Sequence, residues 1–496
     1  MEFNLPLEYP SDNPVPELIQ GYVSVQGSSS VFGEPTGSLP DSSEPYHAES
    51  AERDEARRNL EDSGFTISAE SPLGFAVVGQ REAFEDLTGG TVEAKERLVQ
   101  AESGRLRYVT HLDIVGDEQP ETLGVGYASS EASKIDGLVL ERPRLPMAVF
   151  PSPVPPSVAQ FHLRVPADVS VGLGASEAHR QGFSGDGVLV AMPDSGWYRH
   201  PYFTARHYTV RRPLTVVPGT SPSKDPHGHG TGESANVFAV APGADLQPIR
   251  TSNSSGDLVG AVAGFLKAKE INPRIITNSW GGDGPYPPRS GPDAADRALA
   301  LEIQHAIEEG ILVVFSAGNG QFAIEPQVPG VLAAGGVYMS ETLELRASDY
   351  ASGYQSPWFD GVTVPTVCGL VGLQPRAQYI LLPIPPGSPI DFDESRPAFN
   401  DPTTDGTTPN DGWALFSGTS AAAPQVAGAA ALILGAKPEL KPAQVIEALT
   451  NTAIDVTAGR SFPQRFNSPA TAGHDAATGH GLVNAAAAVK YAEERF

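Results

Sequence analysis

The stretch that decides the fold runs LVGAVAGFLKAKEI (258–271), RIITNSWGG (274–282), AADRALALEIQHAIEEG (294–310) and ILVVFSAGN (311–319). The first and third segments have helix composition. The second and fourth are short, nearly continuous apolar runs that end in polar residues. Upstream, GVLVAMPDSG (187–196) and ADLQPIRTS (244–252) read as strands of the same kind. Apolar strands alternating with helices predict an α/β architecture: a doubly wound, mostly parallel sheet with helices on both faces. In such sheets the ligand crevice lies beyond the carboxyl ends of the strands, so the polar residues there are the ones to weigh.

Working outward, PRLPMAVFPSPVPP (143–156) is too proline-dense for a helix or a sheet interior and predicts an extended linker over 143–160. It separates a large domain over 161–496 from an N-terminal part. Residues 1–48, rich in Pro, Ser, Gly and Glu, read as a flexible leader with one strand in LIQGYVSVQG (18–27). Over 49–142 the order helix (51–65), strand (FTISAE), strand (LGFAVVGQ), helix (81–89), strand (91–99) suggests a smaller α+β, ferredoxin-like domain.

Composition sets bounds. The chain has 496 residues, 40% of them hydrophobic, enough for more than one domain core. Its net charge of −26 disfavours nucleic acid and anionic membrane surfaces as partners. Acidity concentrates in the first 150 residues, which hold 27 Asp and Glu against 11 Lys and Arg. The one cysteine, Cys368, permits no intrachain disulfide and reads as a buried structural thiol. The N-terminal residues lack a basic start and an apolar segment, and no stretch reads as a membrane span, so a cytoplasmic location is expected, with export by another route as the alternative.

Four residues stand at predicted element ends. Ser420, in GTSAAAP (418–424), opens a small-residue helix pattern; it reads as an N-cap or as a nucleophile beside unpaired N–H groups. Asp194, in DSG (194–196), reads as a turn residue or an acid. His229, in GHGT (228–231), reads as a loop histidine, as half of a metal pair with His227, or as a base. Asn319, in SAGN (316–319), reads as a left-handed turn residue or an amide donor. Together they supply acid, base, donor and nucleophile in chain order.

These motifs, with NSWGG (278–282) and the closing GHGLVNAAAAV (479–489), resemble those of the subtilisin-like serine peptidases over roughly residues 175–490. The resemblance implies Ser420 as nucleophile, His229 as base and Asp194 as its orienting acid. It implies an oxyanion site made by the Ser420 N–H and Asn319. It further implies a cleft lined by Ser279, Trp280, Gly281 and Gly282 and by the stretch Thr251–Gly256, including Asn253, Ser255 and Gly256, where a substrate pairs as an added strand. Trp280 hints at an apolar or restricted primary pocket.

No cofactor is expected for catalysis. The structural calcium common among such enzymes lacks a clear loop here; Asp391, Asp393 and Glu394 are the weak candidates. Residues 370–412, rich in Pro and Asp, read as an insertion at the cleft rim. By the same resemblance the N-terminal domain is expected to be an inhibitory propeptide, making the chain a zymogen; a permanent accessory domain is the alternative. The expected partners are a protein or peptide substrate and this intramolecular domain. A dedicated precursor-processing protease, a peptide macrocyclase or ligase, and a catalytically dead binding scaffold are the competing functions.

Overall fold

The structure, a computed structural model, describes residues 7–32, 42–100, 106–128, 134–146, 161–374, 377–397 and 404–496. Much of the predicted linker (147–160), and parts of the leader, lie outside the described residues.

In the N-terminal domain the strand β1 (Ile19–Val25) is central, not part of a flexible leader. Its side chains are buried almost throughout, and it pairs on both edges. There follow α1 (Ser50–Asp62), β2 (Thr66–Ser71), β3 (Gly74–Gly79) and α2 (Arg81–Thr88), as the sequence predicts. The next strand, β4 (Thr91–Gln100), does not close the sheet. It forms a ten-residue antiparallel ladder with β5 (Leu106–Val115), in a separate sheet. The edge beside β1 is filled instead by β6 (Ile135–Leu140). The order β2-β3-β1-β6 is thus the ferredoxin-like one, with a hairpin inserted before its fourth strand.

After β6 the chain runs on to the short strand β7 (Leu145–Pro146). In the large domain β8 (Leu189–Asp194), α3 (His229–Val240), β9 (Asp245–Arg250), α4 (Ala261–Glu270), β10 (Ile275–Asn278), β11 (Trp280–Gly281), α5 (Ala294–Glu308), β12 (Leu312–Ser316) and β13 (Leu332–Met339) alternate. The sheet order is β9-β8-β10-β12-β13, all parallel. The order reverses direction between β8 and β10, which makes the carboxyl ends of these two strands the switch-point crevice.

One core fills the face covered by α3 and by α6 (Thr419–Ala436); a second fills the face under α4 and α5. Tyr22, Ala69, Ala76 and Val139 of the N-terminal sheet belong to that second core, so the small domain sits on α4 and α5. Contrary to the expectation from sequence, α6 is by length and composition apolar enough to cross a membrane; it is 89% buried within the protein. Cys368 is buried as predicted, its thiol donating to the Thr478 carbonyl at 3.3 Å.

The predicted insertion is shorter than 370–412. Val367–Leu370 extends the main sheet beside β13, and Ile380–Pro383 pairs with Trp413–Phe416. The added part is the described segment 384–397 with 404–412. Within it Asp391 Oδ2 accepts the N–H groups of Gly387, Asn410 and Gly412, closing the loop on itself. Glu394 accepts from Gln378. Of the buried oxygens of these residues that are described, Asp391 Oδ1 is the one without a partner, whereas calcium takes six to eight oxygens. Asp391, Asp393 and Glu394 do not fit a calcium ion, and no group of three or more candidate metal ligands occurs among the described residues.

Candidate functional site

Asp194 is the last residue of β8, and His229 the first of α3. Gly228 caps α3 with φ 98°, a left-handed conformation that suits glycine. Gly230 lies so close to the turn after Asp194 that a Cβ there would sit 2.4 Å from the Gly196 carbonyl oxygen. That approach brings His229 Nδ1 to 2.8 Å from Asp194 Oδ1. His229 Nε2 is thereby the free nitrogen of the ring: it has no hydrogen-bond partner among the described residues.

Ser420 is not a cap. Gly418 caps α6, and Ser420 is the second helical residue. Its hydroxyl donates to the Ser279 carbonyl at 3.1 Å, and the Ser279 hydroxyl returns a bond to the Ser420 carbonyl at 2.8 Å. The second bond has a cause in the sequence. In a helix the Ser420 carbonyl would accept from residue 424, but that residue is Pro424 and has no N–H. The freed carbonyl takes Ser279 instead, tying the start of α6 to the end of β10. Asn319 follows β12; its Oδ1 accepts the Thr419 N–H at 2.9 Å and the Thr419 hydroxyl at 3.1 Å. That fixes the amide plane and makes its nitrogen the donor end.

Two acids missed in the sequence reading complete the site. Asp225 is buried and accepts from the Ser195 hydroxyl, from the N–H groups of His227, Gly228 and Thr231, and from the Thr231 hydroxyl, at 2.7–3.2 Å. It ties the histidine loop to the aspartate turn. Glu233, one turn after His229, is fully buried. Its Oε1 lies 3.8 Å from His229 Nε2, and its Oε2 accepts from Asn236 at 2.9 Å. The signal for Glu233 was a single carboxylate in a helical stretch of otherwise small, apolar or uncharged residues, HGTGESANVFAV.

These charges set the titration. Burial opposes a charge on His229, but the Asp194 carboxylate, then Glu233 and Asp225, outweigh it and raise the imidazole to about 9. Burial also raises Glu233, to about 8, helped by Asp194. His227 is pushed down by burial and by its neighbour His229, and no group of three or more candidate metal ligands includes the two histidines among the described residues.

The chain's own tail lies along the cleft edge. Leu145 faces Gly281 and Pro146 faces Trp280, antiparallel. On the other side Arg144 bridges to Leu258. Trp280 and Gly281 thus pair with the tail on one side, directly after Ser279. Across the tail the backbone bridge falls on Leu258, just after the stretch that holds Asn253, Ser255 and Gly256. Asn253 turns inward on the N–H groups of Ser255 and Asp257, and Gly256 packs on His227. Those three residues line a cavity of about 730 Å³ beside the tail. Trp280 is no pocket wall: its ring is fully buried edge-on against Phe315 and its indole N–H donates to the Pro193 carbonyl at 2.9 Å.

Comparison with known proteins agrees with this geometry. The profile of the subtilase family matches residues 185–481, the segment that carries every residue above from Asp194 to Ser420. The chain belongs to the subtilase family. Fervidolysin from Fervidobacterium pennivorans is 28% identical over 339 residues, 64% of this chain and 43% of its own length. This chain thus aligns with less than half of that relative. Subtilisin Savinase from Lederbergia lenta is 26% identical over 330 residues, covering 64% of this chain and 96% of its own. Among solved structures, that of fervidolysin, described as a keratinolytic enzyme related to subtilisin, matches with a TM-score of 0.54 at 19% identity. It covers 95% of this chain and 61% of its own, a likeness of fold.

Proposed function

We propose that the chain is a serine endopeptidase made as a zymogen, with Ser420 as nucleophile, His229 as base and Asp194 as its orienting acid. The observation that carries the reading is the Asp194–His229 pair, which leaves Nε2 of the ring for a hydroxyl, set at the switch point of a sheet whose neighbouring helix carries Ser420 in its first turn. For the reaction the Ser420 hydroxyl exchanges the Ser279 carbonyl for Nε2 as its acceptor. As Oγ attacks a substrate carbonyl, its proton passes to Nε2, and Asp194 stabilises the imidazolium. The oxyanion takes the backbone N–H of Ser420, which has no helical partner this early in α6, and the Asn319 amide. The amine leaves with the proton from Nε2, and water resolves the acyl-enzyme by the reverse transfers.

The zymogen part rests on the tail. Residues 144–146 occupy the strand position a substrate would take, and a substrate cannot pair with Trp280–Gly281 while they remain. In this register a bound strand is attacked at the residue opposite Ser279, since the Ser279 carbonyl meets the Ser420 hydroxyl. By count along the chain that residue is Met147. Incubation of purified protein followed by N-terminal sequencing is expected to give a new terminus at Ala148. A fluorophosphonate probe should label the processed protein and not Ser420→Ala. A full-length chain that cleaves peptides without processing would sink the zymogen; absence of labelling and of cleavage would sink the peptidase.

A further inference from the structure

Glu325 lies at the floor of the groove and has no exposure to solvent. Its Oε1 is 3.0 Å from Arg144 Nη1, and the Gly282 N–H donates to both its oxygens at 3.2 and 3.4 Å. Arg144 is itself buried. Among the described residues Arg144 is the only cation within ion-pair distance of Glu325. A side chain at position 282 would obstruct the pair, because a Cβ on Gly282 would lie 3.1 Å from Arg144 Nη1.

Arg144 is not an arbitrary residue of the N-terminal domain. It is the tail residue immediately before the two that pair with Trp280 and Gly281, and its own backbone bridges to Leu258 across the groove. Its side chain therefore stands where that of a substrate residue would stand. When the tail leaves, the Glu325 carboxylate loses Arg144 and keeps, among the described residues, the Gly282 N–H. Removing one partner of a buried ion pair is costly, so the emptied position favours another cation.

We propose that Glu325 is a specificity-determining residue that selects substrates with arginine at the position Arg144 occupies. Resting on the peptidase reading above, this position is the fourth residue before the cleaved bond: Ser279, Trp280 and Gly281 face the first, second and third. The guanidinium is preferred over an ammonium because its planar fork reaches past Gly282 to a fixed carboxylate.

The test uses processed wild-type protein and a peptide series that differs only at the fourth position: Arg, Lys, Gln and Met. Exchange of Arg for Gln is expected to lower kcat/KM about 30-fold or more, the loss typical of one partner of a desolvated charge pair. In Glu325→Gln the Arg-to-Gln ratio should fall close to one. If that variant does not fold, the wild-type series decides alone. Efficient cleavage with a flat profile at the fourth position would overturn the proposal and leave Arg144–Glu325 as a clamp for the N-terminal domain. Failure to cleave any peptide, together with no fluorophosphonate labelling, would overturn the peptidase reading and this one with it.

Discussion

Glu233 places a second carboxylate beside an imidazole that Asp194 already serves, and it does so in full burial. Burial raises its own proton affinity to about 8, and its charge in turn helps to raise His229 to about 9. The sign is fixed by that coupling. The ion pair of the protonated imidazole with Asp194 stabilises the fold fully below the ordinary histidine value of about 6.5 and is lost as the pH rises through about 9; the neutral ring is the form that can act as base, so peptide cleavage is expected to rise with pH over the same window. Neutralising Glu233 removes one of the anions that favour the imidazolium. Glu233→Gln, which keeps the Asn236 bond, is therefore expected to lower the His229 midpoint by about one pH unit. An NMR titration of the imidazole in full-length Ser420→Ala, with and without Glu233→Gln, reads this directly. An unchanged midpoint would mean that Asp194 alone sets it.

At the scale of elements, the site depends on where helices and strands end. Pro424 is one helical turn after Ser420, and by lacking an N–H it hands the Ser420 carbonyl to Ser279. Pro424→Ala restores the N–H and with it a competing helical bond. We expect α6 to keep or gain stability while the Ser279 tie weakens, lowering kcat about tenfold, the worth of one hydrogen bond of about 1 kcal/mol or slightly more. A melting curve beside a kcat measurement checks it; full activity in a stable variant would remove the role assigned to the proline. The same scale explains what could be read from sequence. Asp194, His229, Asn319 and Ser420 were legible because each closes or opens an element inside a short motif. Asp225 and Glu233 were not, because one looks like a turn residue and the other like ordinary helix content until the fold buries them. Trp280 was misread because a strand end shows bulk but not direction, and the indole points into the core.

For the molecule as a whole, the parallel, doubly wound character of the large domain followed from alternation, but the closure of the small one did not. Period and propensity identify β4 as a strand without saying which edge it joins, and β6, some 40 residues later, takes the place beside β1. The consequence is that the N-terminal sheet ends directly before the tail, so the proposed filling of the cleft would be coupled to docking of the domain. The docking surface has a polar centre in Glu302, buried on α5. Its Oε1 accepts from the Tyr22 hydroxyl at 2.8 Å and from the Ser71 hydroxyl at 2.5 Å, both from the small domain, while Lys269 pairs with Oε2 at 2.5 Å. Burial opposes ionisation of Glu302, yet Lys269, Ser71 and Tyr22 hold its carboxyl below the usual range. Tyr22→Phe removes one charged hydrogen bond at the interface and nothing in the catalytic groove. Such a bond contributes about 1.5–3 kcal/mol, so the processed N-terminal fragment should leave at least tenfold faster, with active enzyme appearing correspondingly sooner. Size-exclusion chromatography of the processed mixture, alongside the lag in peptide cleavage, measures both. The final rate should equal that of the wild type, because Tyr22 departs with the fragment. An unaltered lag would place the hold on the domain elsewhere, in the tail and its Arg144–Glu325 pair.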